Sequence, residues 1–185
     1  MIYQSFSGDA NNGTGTFVMN GGSISVSVGP VFFVTNTNAV IELKGVKVAS
    51  VSRTLINASA TNRWGRNGSN RGRVSFTADN VDLTGDLVCD NASSIAAWLQ
   101  NGTILSGAID SEDTGKLASL NLDASSTWNV TRTSHLTSLK DSDTTLANIH
   151  GNGFIVYYDR GLESNSWLGG KTYGLENGGK LRPKV

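Results

Sequence analysis

The chain holds one cysteine, two prolines and two histidines in 185 residues. A lone Cys89 excludes an internal disulfide, so the fold must rest on backbone ladders and packing. Its place after Leu87-Val88 reads as a small buried hydrophobe. His135 and His150 lack the paired spacing of a zinc site and read as surface or corner residues; no metal or cofactor is expected. Charged residues make up 16% of the chain, against about 25% in average soluble domains. Lys plus Arg and Asp plus Glu balance at 15 each, which leaves no global field to draw nucleic acid or an anionic membrane. No apolar run approaches the roughly 18 residues of a membrane span. The Met-Ile-Tyr-Gln start lacks the basic and apolar regions of a signal peptide, and the first segments begin in mid-pattern, as expected for a piece of a longer exported protein.

Glycine, asparagine, serine and threonine take the place of charge. Between them lie short stretches with an apolar residue at every second position, such as Leu120-Asn121-Leu122, Trp128-Asn129-Val130 and Phe154-Ile155-Val156. A period of two is the strand signal, and no stretch carries a helical period. The unit recurs as TFVMNGGSISVSV, AVIELKGVKVASV, RVSFTADNVDLTGDLVC, AAWLQNGTILSGAI, ASLNLDASSTWNVT and ANIHGNGFIVYYD, with corners near Asn20, Lys44, Ala78, Gln100, Asp123 and His150. That spacing, with one longer interval, is a solenoid period and not a hairpin period. Asn and Gly tolerate the left-handed backbone that a coil needs at bends, and stacked Asn side chains can bond along a corner. The expected fold is therefore all-β, a right-handed parallel β-helix. Coils fill 1–165, and 166–185 form a C-terminal capping segment of the same domain, in which Trp167, Leu168 and Tyr173 supply apolar cover and Lys171, Lys180, Arg182, Pro183 and Lys184 discourage further strand addition. A hairpin sandwich is the structural rival. The expected core is Phe17, Met19, Ile24, Val26, Ile41, Leu43, Val46, Val48, Val74, Phe76, Val81, Leu83, Leu99, Ile104, Ile109, Leu120, Leu122, Val130, Leu136, Leu139, Ile149, Phe154 and Val156.

The stretches YQSFSGDANNGTGTFVMNGGSISV, FFVTNTNAVIELKGVKV and STWNVTRTSHLTSLKDSDTTLANIHGNGFIVYYD, with a tryptophan-glycine-asparagine loop between, resemble large bacterial surface proteins built as right-handed parallel β-helices, including adhesin-like and autotransporter-like passengers. The resemblance covers nearly the whole chain and rests on repeat signatures. It implies export, an extracellular or cell-surface location, and an adhesin-like or scaffold role without catalysis. Some relatives of the fold are polysaccharide lyases or hydrolases, so a glycan-binding or glycan-cleaving module is the alternative.

The insertion TNRWGRNGSNRGR gathers Arg63, Arg66, Arg71 and Arg73 around Trp64. Loops inserted in a repeat scaffold project from one face, and arginines beside an aromatic platform suit the carboxylates or sulfates of an acidic glycan or of a host-surface component. The competing reading is structural cover, with Trp64 packed inward; no nucleic-acid-reading motif accompanies the cluster. Carboxylates occur as Asp110, Glu112 and Asp113, as Asp141 and Asp143, and as Asp159 beside Arg160. Polysaccharide cleavage needs such groups on neighbouring rungs, whereas each of these reads as a local turn, and no catalytic residue is assigned. Thr14-Gly15-Thr16, Thr35-Asn36-Thr37 and Thr131-Arg132-Thr133 admit ice binding as a minor alternative.

Overall fold

The computed structural model describes residues 1–4, 13–66 and 69–184. Strands β1 to β20 follow one another in chain order, and strand occupies 52% of the chain against 3% for helix. Small polar corners interrupt each run of alternation, so a turn of the coil carries three strands. The first face is one parallel ladder of β2 (Thr14–Asn20), β5 (Thr37–Lys44), β8 (Gly72–Asp79), β11 (Ser94–Gln100), β13 (Leu117–Leu122) and β16 (Ser138–Asp141). The second holds β3 (Ser23–Val26) and β6 (Lys47–Ser50), then β9 (Asp82–Thr84), β12 (Ile104–Gly107), β14 (Thr127–Val130) and β17 (Ile149–His150). On the third, β1 (Ile2–Tyr3), β4 (Phe32–Thr35), β7 (Thr54–Ala58) and β10 (Asp86–Cys89) are followed by a bridge from Leu87 to Ile109, then by β15 (Ser134–Leu136), β18 (Ile155–Tyr158) and β20 (Lys180–Pro183). Sheet order follows chain order throughout these stacks, giving a parallel β-helix of about seven turns.

Alternation decides what the coil buries. Phe17, Ile41, Phe76, Ala97, Leu120 and Leu139 stand in register on the first face, and from Ile41 onward all are buried. On the second, Leu83, Leu105, Trp128 and Ile149 form the matching column, and the indole N–H of Trp128 donates to the Gly107 carbonyl at 3.0 Å. Cys89 closes the column Val34, Ala58 on the third face. Burial above all, with Asp110 and Asp90 adding to it, pushes its thiol up to about 12.

The corners have the chemistry their composition implies. After the first-face strands, Gly21, Gly45, Asn80 and Asn101 all take left-handed φ angles, between 54° and 73°. The N–H groups of the first three donate to a carbonyl of the next turn, at Lys44, Asp79 and Gln100. Asn101 instead donates to the Asp123 carboxylate at 2.7 Å, so at that rung a side chain carries the ladder onward. Asparagine side chains bridge turns mainly by reaching backbone carbonyls, as Asn121 does to Ala97, Asn148 to Asp123 and Asn152 to Val130. This pattern replaces the expected Asn-on-Asn stack at these positions.

Several core assignments need correction. Ile104 is exposed because β12 turns Leu105 inward, and a one-residue slip reverses the face. Phe154 is exposed in the turn before β18. Phe17 is exposed, and Met19, Ile24, Val26 and Val48 are only half-buried, because they belong to the first turns at the coil's end. The corner matching Asn20 in the sixth turn lies at Asp141, not at His150, which ends a strand of the second face.

At the other end a 3₁₀ helix, Glu163–Leu168, lies over β16. Asn165 is buried and fully engaged: its Oδ1 accepts the Leu139 N–H at 2.9 Å, and its Nδ2 donates to Thr137 and Asp159 carbonyls at 2.8 and 2.6 Å. Trp167 Nε1 donates to the Leu139 carbonyl. Strand β19 (Tyr173–Gly174) folds back antiparallel on β20. The helix thus lies where a seventh first-face strand would pair, while β20 continues the third-face ladder beside it.

Candidate functional site

The arginine-rich insertion forms the corner between β7 and β8. Asn70 is buried within it and donates to the carbonyls of Thr61 and Trp64. Its own carbonyl receives the Asn36 N–H at 3.0 Å. Gly65, at φ 75°, presses on Asn36 so closely that a Cβ would lie 2.3 Å from Oδ1. Trp64 is half-buried, its ring 4.5 Å from that of Tyr3, and the Arg63 guanidinium lies 5.6 Å from the indole centre. Arg63 and Arg66 are exposed and Arg71 is half-buried, whereas Arg73 stands apart, exposed on the outer side of β8 between Asn38 and Ser94. The structure therefore gathers Arg63 with Trp64 and separates Arg73 from them.

The stacking also joins acids that are far apart in sequence. A concavity of about 160 Å³ collects Asp110, Asp113, His135, Asp159 and Lys184 from successive turns. Its polar atoms mostly serve the fold. The Asp110 carboxylate accepts the N–H groups of Thr114 and Gly115, Asp113 pairs with Lys184, and Asp159 accepts the Gly161 N–H. His135 Nδ1 meets the Asp110 carbonyl at 3.0 Å and its ring stacks on Tyr157 at 5.0 Å. Among the described residues no group of three or more His, Cys, Asp or Glu is arranged to hold a metal ion.

A larger groove, about 310 Å³, crosses the first face at the fourth to sixth turns. Because Ile95, Ala97 and Leu99 face inward on β11, Trp98 must face out, and it is 38% exposed. Register places Trp98 between Thr77 and Asn121, with Lys140 one strand further. Asn121 spends an N–H on the Ala97 carbonyl, which leaves its Oδ1 as an acceptor, and the Lys140 ammonium has no partner among the described residues. Gln100 and Ser142 complete the polar wall. The sequence reading missed this site. Its signal was the same alternation that put Leu99 in the core, which sends its neighbour outward.

Two carboxylates edge the groove and behave differently. Desolvation raises Asp123, but the Asn101 N–H, with Ser126 and Ser125, outweighs it and holds the carboxyl below its ordinary range. Asp141 points inward at the end of β16, and burial pushes it up to about 6. Hydrogen bonds from the Asp143 N–H and Asn148 oppose that rise, and the charges of Asp143 and Asp123 add to it. Asn148 Nδ2 donates to Asp141 Oδ1 at 3.1 Å, while Asp141 Oδ2 and Asn148 Oδ1 are both buried without a partner among the described residues. A single proton on Oδ2 would supply a donor to these two leftover acceptors, an acid–amide pairing.

No protein-family model matches this chain, and no characterised protein or solved structure matches it either.

Proposed function

We propose that the chain is a non-enzymatic carbohydrate-binding module on a β-helix scaffold, with an adhesin-like role at the outside of a bacterial cell. The observation that carries this reading is Trp98, a large aromatic surface held out in a groove on a rigid ladder and bordered by uncommitted polar groups. The C–H face of a pyranose ring covers an indole face, and each ~50 Å² of apolar surface so removed from water contributes about 1 kcal/mol. Ring hydroxyls find an acceptor in Asn121 and donors in Lys140 and Gln100, the combination of apolar floor and few polar groups that fixes a ligand's orientation. The neighbouring carboxylates argue against glycoside cleavage, since Asp123 is committed to backbone N–H groups and Asp141 is turned into the corner. The surface-protein resemblance and the uncharged polar composition are what support an extracellular location and adhesion.

Titration with neutral hexasaccharides of glucose, galactose and N-acetylglucosamine, read by calorimetry, tests the reading. At least one series should bind, and Trp98→Ala should abolish binding while leaving the melting temperature nearly unchanged, because the ring packs no core. Absence of binding by the whole panel, or binding that survives Trp98→Ala, removes the proposal.

A further inference from the structure

A second concavity, about 260 Å³, lies on another side of the coil, at the corner between the second and third faces. Arg53 borders it from the second turn and Arg132 from the fifth. Arg132 reaches across the intervening turn to Asp86, whose carboxylate is buried and also accepts the Ala108 N–H at 2.7 Å. Both Asp86 oxygens are therefore occupied. The Arg53 guanidinium is exposed and meets no acceptor among the described residues. Ser106 Oγ accepts from Asn129 at 3.2 Å, so its own hydrogen is free, and the Thr84 and Thr131 hydroxyls have no partner among the described residues. The Ser50 and Ser52 hydroxyls also line the notch but donate to the Ser52 and Thr54 carbonyls, so two guanidinium groups and three uncommitted hydroxyls face a notch whose one carboxylate is spent, which leaves it rich in donors and positive by one charge. Gly85, at φ 130°, lines the notch with backbone alone, in a region closed to other residues, and an added Cβ would lie 2.9 Å from the Leu55 nitrogen. Val51, 82% exposed, gives the rim an apolar edge.

We infer that this notch is an anion site for the carboxylate or sulfate of an acidic saccharide, with Arg53 and Arg132 holding the charged group and Val51 meeting the ring. Planar guanidinium forks match both groups, and hydroxyl donors complete the shell. The volume lies below the ~300–1,000 Å³ of sites for drug-sized molecules, which suits one charged ring. This inference stands on its own residues and does not require the Trp98 groove to bind sugar.

The test uses the intact chain and calorimetric titration at low salt with four probes: a hexamer of galacturonate, a heparin-derived hexasaccharide, neutral maltohexaose and inorganic sulfate. Binding of either acidic oligosaccharide, weakened by added salt, is expected, and the preferred probe distinguishes carboxylate from sulfate. Maltohexaose should leave affinity for that probe unchanged when added as a competitor. Arg53→Ser should weaken binding roughly tenfold or more, the scale on which a charge-assisted contact acts, without a change in melting temperature. Arg132→Lys keeps a cation beside Asp86 but removes the fork, and should weaken binding severalfold. Trp98→Ala and the triple change Arg63→Ser, Arg66→Ser, Arg71→Ser should leave it intact. The inference is overturned if neither acidic probe binds, if inorganic sulfate binds as tightly as the oligosaccharides, if Arg53→Ser retains full affinity, or if the triple loop variant loses it.

Discussion

At the first turn β2 pairs only with β5 among the described residues, and Phe17 continues the buried Ile41–Phe76 column into the open, 36% exposed. At the last turn the same column ends at Leu139, which is wholly buried, its N–H and carbonyl bonded to Asn165 and Trp167. Both ends are cut from one parallel ladder, so they present the same kind of unpaired backbone edge. What differs, among the described residues, is the cover. A solenoid adds stability turn by turn, and the terminal turn decides whether the edge stays solitary or recruits another strand.

The comparison is broken most severely by deleting 167–185. Leu139, Tyr158 and Leu136 then lose the cover that buries them, and the expected outcome is aggregation; a soluble variant that melts cooperatively would show that the cap is dispensable. A smaller effect comes from Asp141 in the capped half. Its folded pKa of about 6 lies above the ordinary ~3.9 of an aspartate, so the folded state holds the proton more tightly. That contribution is complete below about pH 4 and is lost as pH rises through 6. Asp141→Asn supplies the missing donor to Asn148 Oδ1 at every pH. It should raise stability at pH 7 by about 1–2 kcal/mol and flatten the pH dependence between 4 and 6, read by denaturant melts. A variant that is destabilised at neutral pH, or that keeps the slope, would refute the acid–amide pairing. An effect no larger is expected at the N-terminal end: Phe17→Ser removes a ring that is 36% exposed and edge-on to Phe32 and should cost about 1–2 kcal/mol, while lowering self-association measured by light scattering. A loss of several kcal/mol would mean that the end is covered after all.

Strand periodicity and corner composition make the architecture legible in the sequence. Ile41, Leu43, Phe76, Leu120 and Leu122 face inward because alternation leaves no other choice. Legibility fails where two apolar residues adjoin, as in Ile104-Leu105, because either phase fits the sequence and the register of the neighbouring turn decides. It fails again for sites assembled across turns. Asp110, His135 and Asp159 each look like a local bend, and only stacking brings them into one concavity. Arg53 and Arg132 likewise meet only through stacking, whereas in the arginine-rich loop visible in the sequence Asn70 holds the backbone and Tyr3 meets the Trp64 ring.

Cys89 carries a consequence for measurement. Its sulfur sits so near Gly115 that a Cβ there would be 2.4 Å away, and at pH 8 a thiol of pKa about 12 is ionised in roughly one molecule in ten thousand. An alkylating reagent can therefore reach it only when the middle turns part. The chain carries its own single-site clock, and the labelling rate in native buffer counts how often the centre of the coil breathes.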